Sequence, residues 1–222
     1  MLGPVHLRPH ADVAERVLLP GDPGRALRLA QQLLDAPKML NHNRGLWGYT
    51  GAAADGEPLT IQSTGLGGPS TAIVVEELIA LGARRLVRVG TCGALVDLEL
   101  GSLVIAETVN ARDGASRALG ASGPLAADPA LLAALRAAGN GAATGVVQSG
   151  DLYYGADTAA AGAVAVDLTA GAVLAVAALH GVAAACVLAV SDLLSGERRR
   201  IDPEALEHAE VELGRVGAAA LS

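Results

Sequence analysis

The chain has 222 residues, of which 51% are hydrophobic, a composition that suits one large folded domain and excludes intrinsic disorder. Its formal net charge of -7 argues against a general surface for nucleic acid or for anionic membranes. Arginine supplies all but one of the 16 basic residues, so a local pocket for an anion is compatible with this balance.

The cysteines and the N-terminal segment bear on location. Cys92 and Cys186 lie in apolar runs, which predicts small buried groups rather than a disulfide framework. The N-terminal segment has no long apolar stretch of the signal-peptide kind, and polar residues interrupt the apolar region 162–190. We therefore expect a cytoplasmic protein that spans no membrane. The spacing of the histidines predicts no metal site.

Short apolar runs alternate with segments of helical periodicity along the whole chain. The runs predict strands, and Pro23 suits the first turn of a helix. In chain order we expect a strand at 17–19, a helix at 23–34, strands at 59–64 and 86–90 separated by a helix at 71–81, a strand at 102–109, a helix at 128–138, strands at 143–149 and 164–167, a helix at 170–180, a strand at 182–190 and a helix at 203–221. This alternation predicts an α/β fold: a single-domain three-layer sandwich over residues 1–222, with a central mixed, mostly parallel sheet flanked by helices.

Polar residues that follow the predicted strands are the first candidates for a site, because ligands bind at the carboxyl ends of strands in open α/β sheets. Gly21 and Arg25 follow the first strand at the start of a helix, where backbone N–H groups attract anions. Arg88 and Thr91 end a later strand, and Arg44 offers a third guanidinium. A lone arginine is more often a solvated or capping charge, but three of them with a hydroxyl predict a phosphate site.

A glycine-rich turn at 63–70 is superficially similar to a dinucleotide-binding loop. It lacks the spacing of that motif, since Pro69 and Ser70 occupy the last places, and the next strand ends without an acidic residue. We therefore do not predict a nicotinamide or flavin dinucleotide site.

Several ordered motifs together resemble the nucleoside phosphorylases of the trimeric/hexameric type, a family that includes bacterial purine nucleoside phosphorylase and uridine phosphorylase. The motifs are PGDPGR at 20–25, NRG at 43–45, STGLGGPS at 63–70, EEL at 76–78 and RVGTCGA at 88–94. The resemblance covers about residues 4–110 and returns at 149–154 and 190–192.

The resemblance implies a transferase that cleaves a nucleoside with phosphate as co-substrate, without a cofactor or metal, in purine salvage. By analogy Gly21, Arg25, Arg88 and Thr91 would bind the phosphate, and a neighbouring subunit would lend Arg44. Such enzymes are commonly homohexamers built from dimers, because each site needs residues from its neighbour.

The same analogy assigns the nucleoside side of the site. Asp192 matches the acid that protonates the purine, and His6 matches a histidine that reaches the ribose 5'-hydroxyl across the dimer interface, with His10 close enough to compete for that role. The remaining nucleoside-binding residues are expected to be Leu66, Tyr153, Asp167, Leu168, Thr169 and Ser191.

The sequence departs from the family where the sugar would bind. The family carries Glu-Met-Glu, whose last Glu grips the ribose hydroxyls, and this chain has Asp167, Leu168 and Thr169 instead. The connection 155–163 is also shorter than usual, so part of the base-pocket wall would be missing. Both departures predict a weaker hold on the ribose and leave the phosphate site intact.

The sequence leaves alternatives for the identity of the base and for whether the protein is an active enzyme. Asp192 favours a purine, whereas the segments 63–70 and 113–116 are closer to the uridine phosphorylases. A divergent member that binds phosphate or nucleoside with little turnover is the third hypothesis. The run 197–200 offers arginines that could pair with Asp192, although a solvated surface loop is the favoured interpretation of this run.

Overall fold

The computed structural model describes residues 3–154 and 161–222. The strands are β1 (Arg16–Leu19), β2 (Asp35–Asn41), β3 (Gly48–Ala52), β4 (Pro58–Gln62), β5 (Arg85–Ala94), β6 (Leu103–Ala111), β7 (Leu125–Ala126), β8 (Ala143–Ser149), β9 (Ala163–Asp167), β10 (Ala183–Leu193) and β11 (Arg199–Arg200). The helices are α1 (Pro23–Leu33), α2 (Gly68–Ala80), α3 (Gly114–Ala118), α4 (Pro129–Ala138), α5 (Ala170–His180) and α6 (Pro203–Leu221).

Local sequence signals set the beginnings of three of these helices. Asp22, Asp128 and Asp202 each accept a hydrogen bond from a backbone N–H of the first turn of α1, α4 and α6. A proline follows each of these caps, where its missing N–H removes no helical hydrogen bond. The starts of these helices therefore coincide with the sequence expectation to within one residue.

The strands form one mixed sheet that partly closes on itself. β1 and β10 both run parallel to β5. β10 also pairs with β6, β6 with β8, β8 with β9, and β9 with β5, so these strands complete a ring. On the other side of β1 the sheet continues through β4 and β3 to β2. Because β1, β5 and β10 are parallel neighbours, their carboxyl ends meet at one edge.

Helices cover both faces of the sheet, each over its own apolar core. Leu86 of β5 packs in the core under α2 and α5, and Val87, the next residue, packs in the core under α1, α4 and α6. This alternation of neighbouring side chains is what a strand buried on both faces requires. The predicted three-layer α/β architecture is confirmed. None of the helices in the described part of the chain is both long and apolar enough to traverse a bilayer.

Four strands, β2, β3, β7 and β11, and the short helix α3 had no counterpart in the sequence prediction. β2 begins with Asp35, Ala36 and Pro37, and its first five residues are exposed. Ala36 has a positive φ of 42°, and the register with β3 shifts twice. An edge strand of this kind has no alternating apolar face, so periodicity does not reveal it.

Candidate active site

A cavity of about 520 Å³ opens where the carboxyl ends of β1, β5 and β10 meet the end of β9. Most of the site residues predicted from the sequence line it: Gly21, Arg25, Leu66, Arg88, Thr91, Tyr153, Asp167, Leu168, Thr169, Ser191 and Asp192. Arg44 and His6 are the two that lie elsewhere. The order of the strands thus brings together residues from distant parts of the chain.

Arg88 is buried at one end of the cavity. Its Nη1 donates to the carbonyl oxygen of Leu19 at 3.3 Å, and its Nε lies 3.4 Å from Oδ2 of Asp167. The guanidinium folds back over Gly90, where an added Cβ would lie 2.4–2.8 Å from its atoms. A buried guanidinium held from two sides beside Thr91 has the chemistry and the fixed position that suit anion binding.

Arg25 lies at the same end and carries a partner that the sequence analysis missed. Its backbone N–H donates to the capping Asp22, and its Nη2 lies 2.7 Å from Oε1 of Glu210 on α6. Arg28 binds the other oxygen of this buried carboxylate at 2.5 Å. Glu210 lies between Ala209 and Leu213 on the apolar face of α6, and a carboxylate in such a position requires cationic partners. An acidic residue on an otherwise apolar helix face was therefore the sequence signal that could have predicted this ion pair.

Asp167 occupies the middle of the cavity wall, and its carboxylate is fully enclosed, with 0% of the side chain exposed. It accepts hydrogen bonds from the Ser149 hydroxyl and from the backbone N–H groups of Thr169 and Ala170. The Thr169 hydroxyl also donates to it, at 3.1 Å. The carboxylate of Asp167 therefore binds the first turn of α5 and Arg88, rather than a ligand in the cavity.

Asp192 lies on β10 and also lines the cavity. The register of β10 against β5 shifts between Val190 and Asp192, which is a β-bulge at Ser191. Oδ1 of Asp192 accepts from Nε and Nη2 of Arg198 at 3.1 and 2.9 Å, and Oδ2 accepts from the Ser191 hydroxyl at 2.9 Å. The hydrogen bond with Asp192 raises the pKa of Arg198.

Tyr153 also lines the cavity, together with two arginines. The guanidinium of Arg198 lies 4.7 Å from the centre of its ring, and Arg198 and Arg200 both donate to its hydroxyl. The run 197–200 is exposed, as a surface loop would be, but it also supplies the arginine that pairs with Asp192. Part of the shortened connection 155–163, namely residues 155–160, lies outside the described residues.

The two residues expected to come from a neighbouring subunit do not reach the cavity of their own chain. Arg44 is exposed, in a short turn with a positive φ of 59°. His6 is bound through Nδ1 to Glu77 at 2.8 Å, and His10, its competitor, stacks on His42. Neither placement tests the shared-site prediction, but both are compatible with it.

Both cysteines are buried, and Cys92 borders the cavity. Burial raises the pKa of the Cys92 and Cys186 thiols far above the ordinary value. A thiol held protonated is a poor nucleophile, so neither cysteine has the character of a catalytic group.

Comparison with known proteins agrees with this geometry. A uridine phosphorylase from Treponema pallidum is 41% identical over 151 residues, which span 65% of this chain and 58% of that protein. A DeoD-type purine nucleoside phosphorylase from Caldanaerobacter subterraneus subsp. tengcongensis is 37% identical over 202 residues, 84% of this chain and 86% of that protein.

The fold has a close counterpart among solved structures. The crystal structure of uridine phosphorylase from Vibrio fischeri, in complex with 6-hydroxy-1-naphthoic acid, superposes with a TM-score of 0.83 at 29% identity and covers 94% of this chain and 91% of that one. The family model of the phosphorylase superfamily matches residues 15–222. This chain belongs to the phosphorylase superfamily.

Proposed function

We propose that the protein is a purine nucleoside phosphorylase, which converts a purine nucleoside and inorganic phosphate into the free base and a sugar 1-phosphate. The observation that carries this proposal is that one cavity is lined by candidate phosphate ligands and by a carboxylate. Arg25 follows β1 and Arg88 and Thr91 lie on β5, whereas Asp192 lies on β10, and all four line the same cavity. Groups suited to anion binding and to proton donation thus face one space that a nucleoside could fill. Relatives named as purine nucleoside phosphorylases support the same assignment.

The arrangement suits displacement at the anomeric carbon. A phosphate oxygen forms a bond to that carbon while the bond from the carbon to the base nitrogen breaks, and the electron pair of the broken bond moves onto the base. Arg88 and Arg25 would hold the phosphate in line for this attack. The positive charge of the two arginines also attracts the phosphate dianion to a position next to the sugar, which gains oxocarbenium character in the transition state. Both guanidinium groups are fixed before the reaction begins, so they need not reorganise during it.

The departing purine needs a proton, because a purine anion is a poor leaving group. Asp192 lines the cavity and would donate it to the ring nitrogen of the base, after its carboxylate has taken up a proton from solvent. For this step Arg198 must release the carboxylate. Its side chain is 43% exposed, so it has room to move toward solvent when the base enters. Ser191, which donates to Asp192 in the free enzyme, keeps the carboxylate in position.

The finer features of the proposal follow the same reasoning. The protein would act in the cytoplasm as one domain, without a cofactor or a metal, in a dimer-based homohexamer. Arg44 and His6 are surface residues outside their own cavity, so each would complete the site of a neighbouring subunit.

The test is an assay of base release from inosine, guanosine, adenosine and uridine, with and without phosphate. We expect hypoxanthine, guanine or adenine to appear only when phosphate is present. Asp192→Asn should lower kcat for purine nucleosides by roughly 100-fold or more, because the general acid is removed. Unchanged purine cleavage in that variant would refute the role of Asp192.

Uridine phosphorylase is the second candidate, because the relative from Treponema pallidum and the superposed structure both carry that name. Uridine cleavage that outpaces every purine nucleoside would establish it. Binding of phosphate or nucleoside without any base release would instead indicate a member that has lost turnover.

A further inference from the structure

The part of the cavity that would hold the sugar offers unusually few acceptors for the hydroxyl groups of ribose. A vicinal diol is held best by a carboxylate that is open to the cavity and can accept from both hydroxyls. Three carboxylates line the cavity in the described residues: Asp22, Asp167 and Asp192. Asp22 caps α1 beside the phosphate residues, and Asp192 is bound to Arg198 and Ser191.

Asp167 is the carboxylate in the middle, and it has no capacity left for a ligand. Four neighbouring donor groups within 3.1 Å surround its two oxygens, and Arg88 lies at 3.4 Å. With 0% of its side chain exposed, a sugar hydroxyl cannot approach it. The Thr169 hydroxyl, which stands where a longer acid would reach the sugar, is itself turned toward Asp167. Leu168, which lies between these two residues and also lines the cavity, offers the sugar only an apolar side chain.

We propose that this site prefers 2'-deoxyribonucleosides over ribonucleosides, an inference that rests on the proposed phosphorylase function. In the transition state, positive charge develops at the anomeric carbon, and the electronegative 2'-oxygen next to it opposes that charge. Enzymes that cleave ribosides well offset this effect with hydrogen bonds to the 2-hydroxyl that strengthen in the transition state. The described residues here offer no open carboxylate for such a bond. Removing the 2'-hydroxyl therefore removes a penalty and loses no hydrogen bond to a carboxylate of the described residues.

Thr169 is the residue that sets this specificity. A glutamate at this position would extend two bonds further into the cavity and present a carboxylate to the sugar, while Asp167 would keep the donors supplied by Ser149 and by the backbone N–H groups of residues 169 and 170. A glutamine would have the same length without the charge, and so provides the matched comparison.

The experiment compares kcat/KM for inosine and 2'-deoxyinosine at saturating phosphate, because both release hypoxanthine. We expect the wild-type enzyme to favour 2'-deoxyinosine by about tenfold, because the described site lacks the charged hydrogen bond that would offset the penalty of the 2'-oxygen by a factor of that size. Thr169→Glu should shift the ratio toward inosine by about tenfold relative to Thr169→Gln, since only the former adds a charged acceptor.

The wild-type comparison is decisive even if neither variant folds. Equal use of the two nucleosides, or a preference for inosine, would overturn the inference while leaving the phosphorylase assignment in place. Release of hypoxanthine from neither substrate, together with no base release from guanosine or adenosine, would instead overturn the proposed function. An equal shift by Thr169→Glu and Thr169→Gln would show that Thr169 does not determine the sugar preference through charge.

Discussion

The position of Arg88 depends on the absence of a side chain at Gly90. The guanidinium lies over this glycine, and the nearest of its atoms would be 2.4 Å from an added Cβ. Arg88 also binds Leu19 and Asp167, and its guanidinium would lose these contacts if it moved to another position. A single methyl group would therefore displace the residue that we assign to phosphate binding.

Gly90→Ala tests this dependence. We expect KM for phosphate to rise by roughly 10- to 100-fold, the loss that follows when a charged hydrogen-bonding group is misplaced. KM for the nucleoside should change much less, because Asp192 and Tyr153, which we assign to the base, are held by Arg198 rather than by Arg88. Steady-state kinetics with each substrate varied in turn provides the measurement.

Gly123→Ala is the matched control. An added Cβ at Gly123 meets nothing within 4 Å, and that variant should keep both KM values. If Gly90→Ala leaves KM for phosphate unchanged, either the arginine adjusts or it does not bind phosphate.

At the scale of elements, the N-terminal segment is attached to helix α2 through one carboxylate. Glu77 of α2 accepts hydrogen bonds from the backbone N–H groups of Val5, His6 and Leu7, and from the ring of His6. Burial alone would raise the pKa of Glu77, but the N–H groups of Leu7, His6 and Val5, followed by the His6 ring, hold it below the ordinary value of 4.5.

This lowered pKa gives the attachment a pH dependence of definite sign. A carboxylate whose pKa is lower in the folded protein stabilises it above pH 4.5, and the stabilisation is lost as the pH falls through the folded pKa. We expect the protection of the amides at residues 5–7, measured as exchange relative to the intrinsic rate at each pH, to fall below that pH. Glu77→Gln should produce the faster exchange already at pH 7 and lower the free energy of unfolding by about 1 kcal/mol. Exchange that is insensitive to both changes would show that another contact retains the segment.

Prediction from sequence worked best where one local signal decides the outcome. The cap and proline at Asp202 and Pro203 fix the start of α6, and the apolar run of β10 identifies a strand buried on both faces. It failed for β2, whose pairing is decided by its neighbour β3 rather than by its own pattern. The strands β1, β5, β9 and β10, whose ends border the cavity, were among the elements that a local signal predicted.

The candidate site shows the same division. Motifs and their resemblance to a family located most of the cavity residues, but pairings between distant segments could not be derived from spacing. Glu210 and Arg25 are 185 positions apart, and only the packing of α6 against α1 brings them together. Arg198 had no signal that distinguished it from its neighbours Arg199 and Arg200, because the choice among them depends on how the loop folds onto Asp192.

At the scale of the whole molecule, the cavity lacks two of the residues assigned to it. Arg44 is exposed, and His6 is held on α2 by Glu77, so in a single chain neither contributes to the site. If a neighbouring subunit supplies them, each active site contains residues from two chains. An assembly with this property can be tested without knowing the number of its subunits.

Mixed assemblies of two inactive variants provide that test. Arg44→Ala should damage the site of the neighbouring subunit, whereas Asp192→Asn damages the site of its own chain. In a dimer that contains one copy of each, one site carries both defects and the other is intact. Random mixing of equal amounts should therefore restore about a quarter of the wild-type activity. The matched control pairs Arg88→Ala with Asp192→Asn, since both residues belong to the same chain's site and every mixed site then retains one defect. Recovery in the first mixture and none in the second is the expected result, and no recovery in either would mean that Arg44 does not serve a neighbour's site.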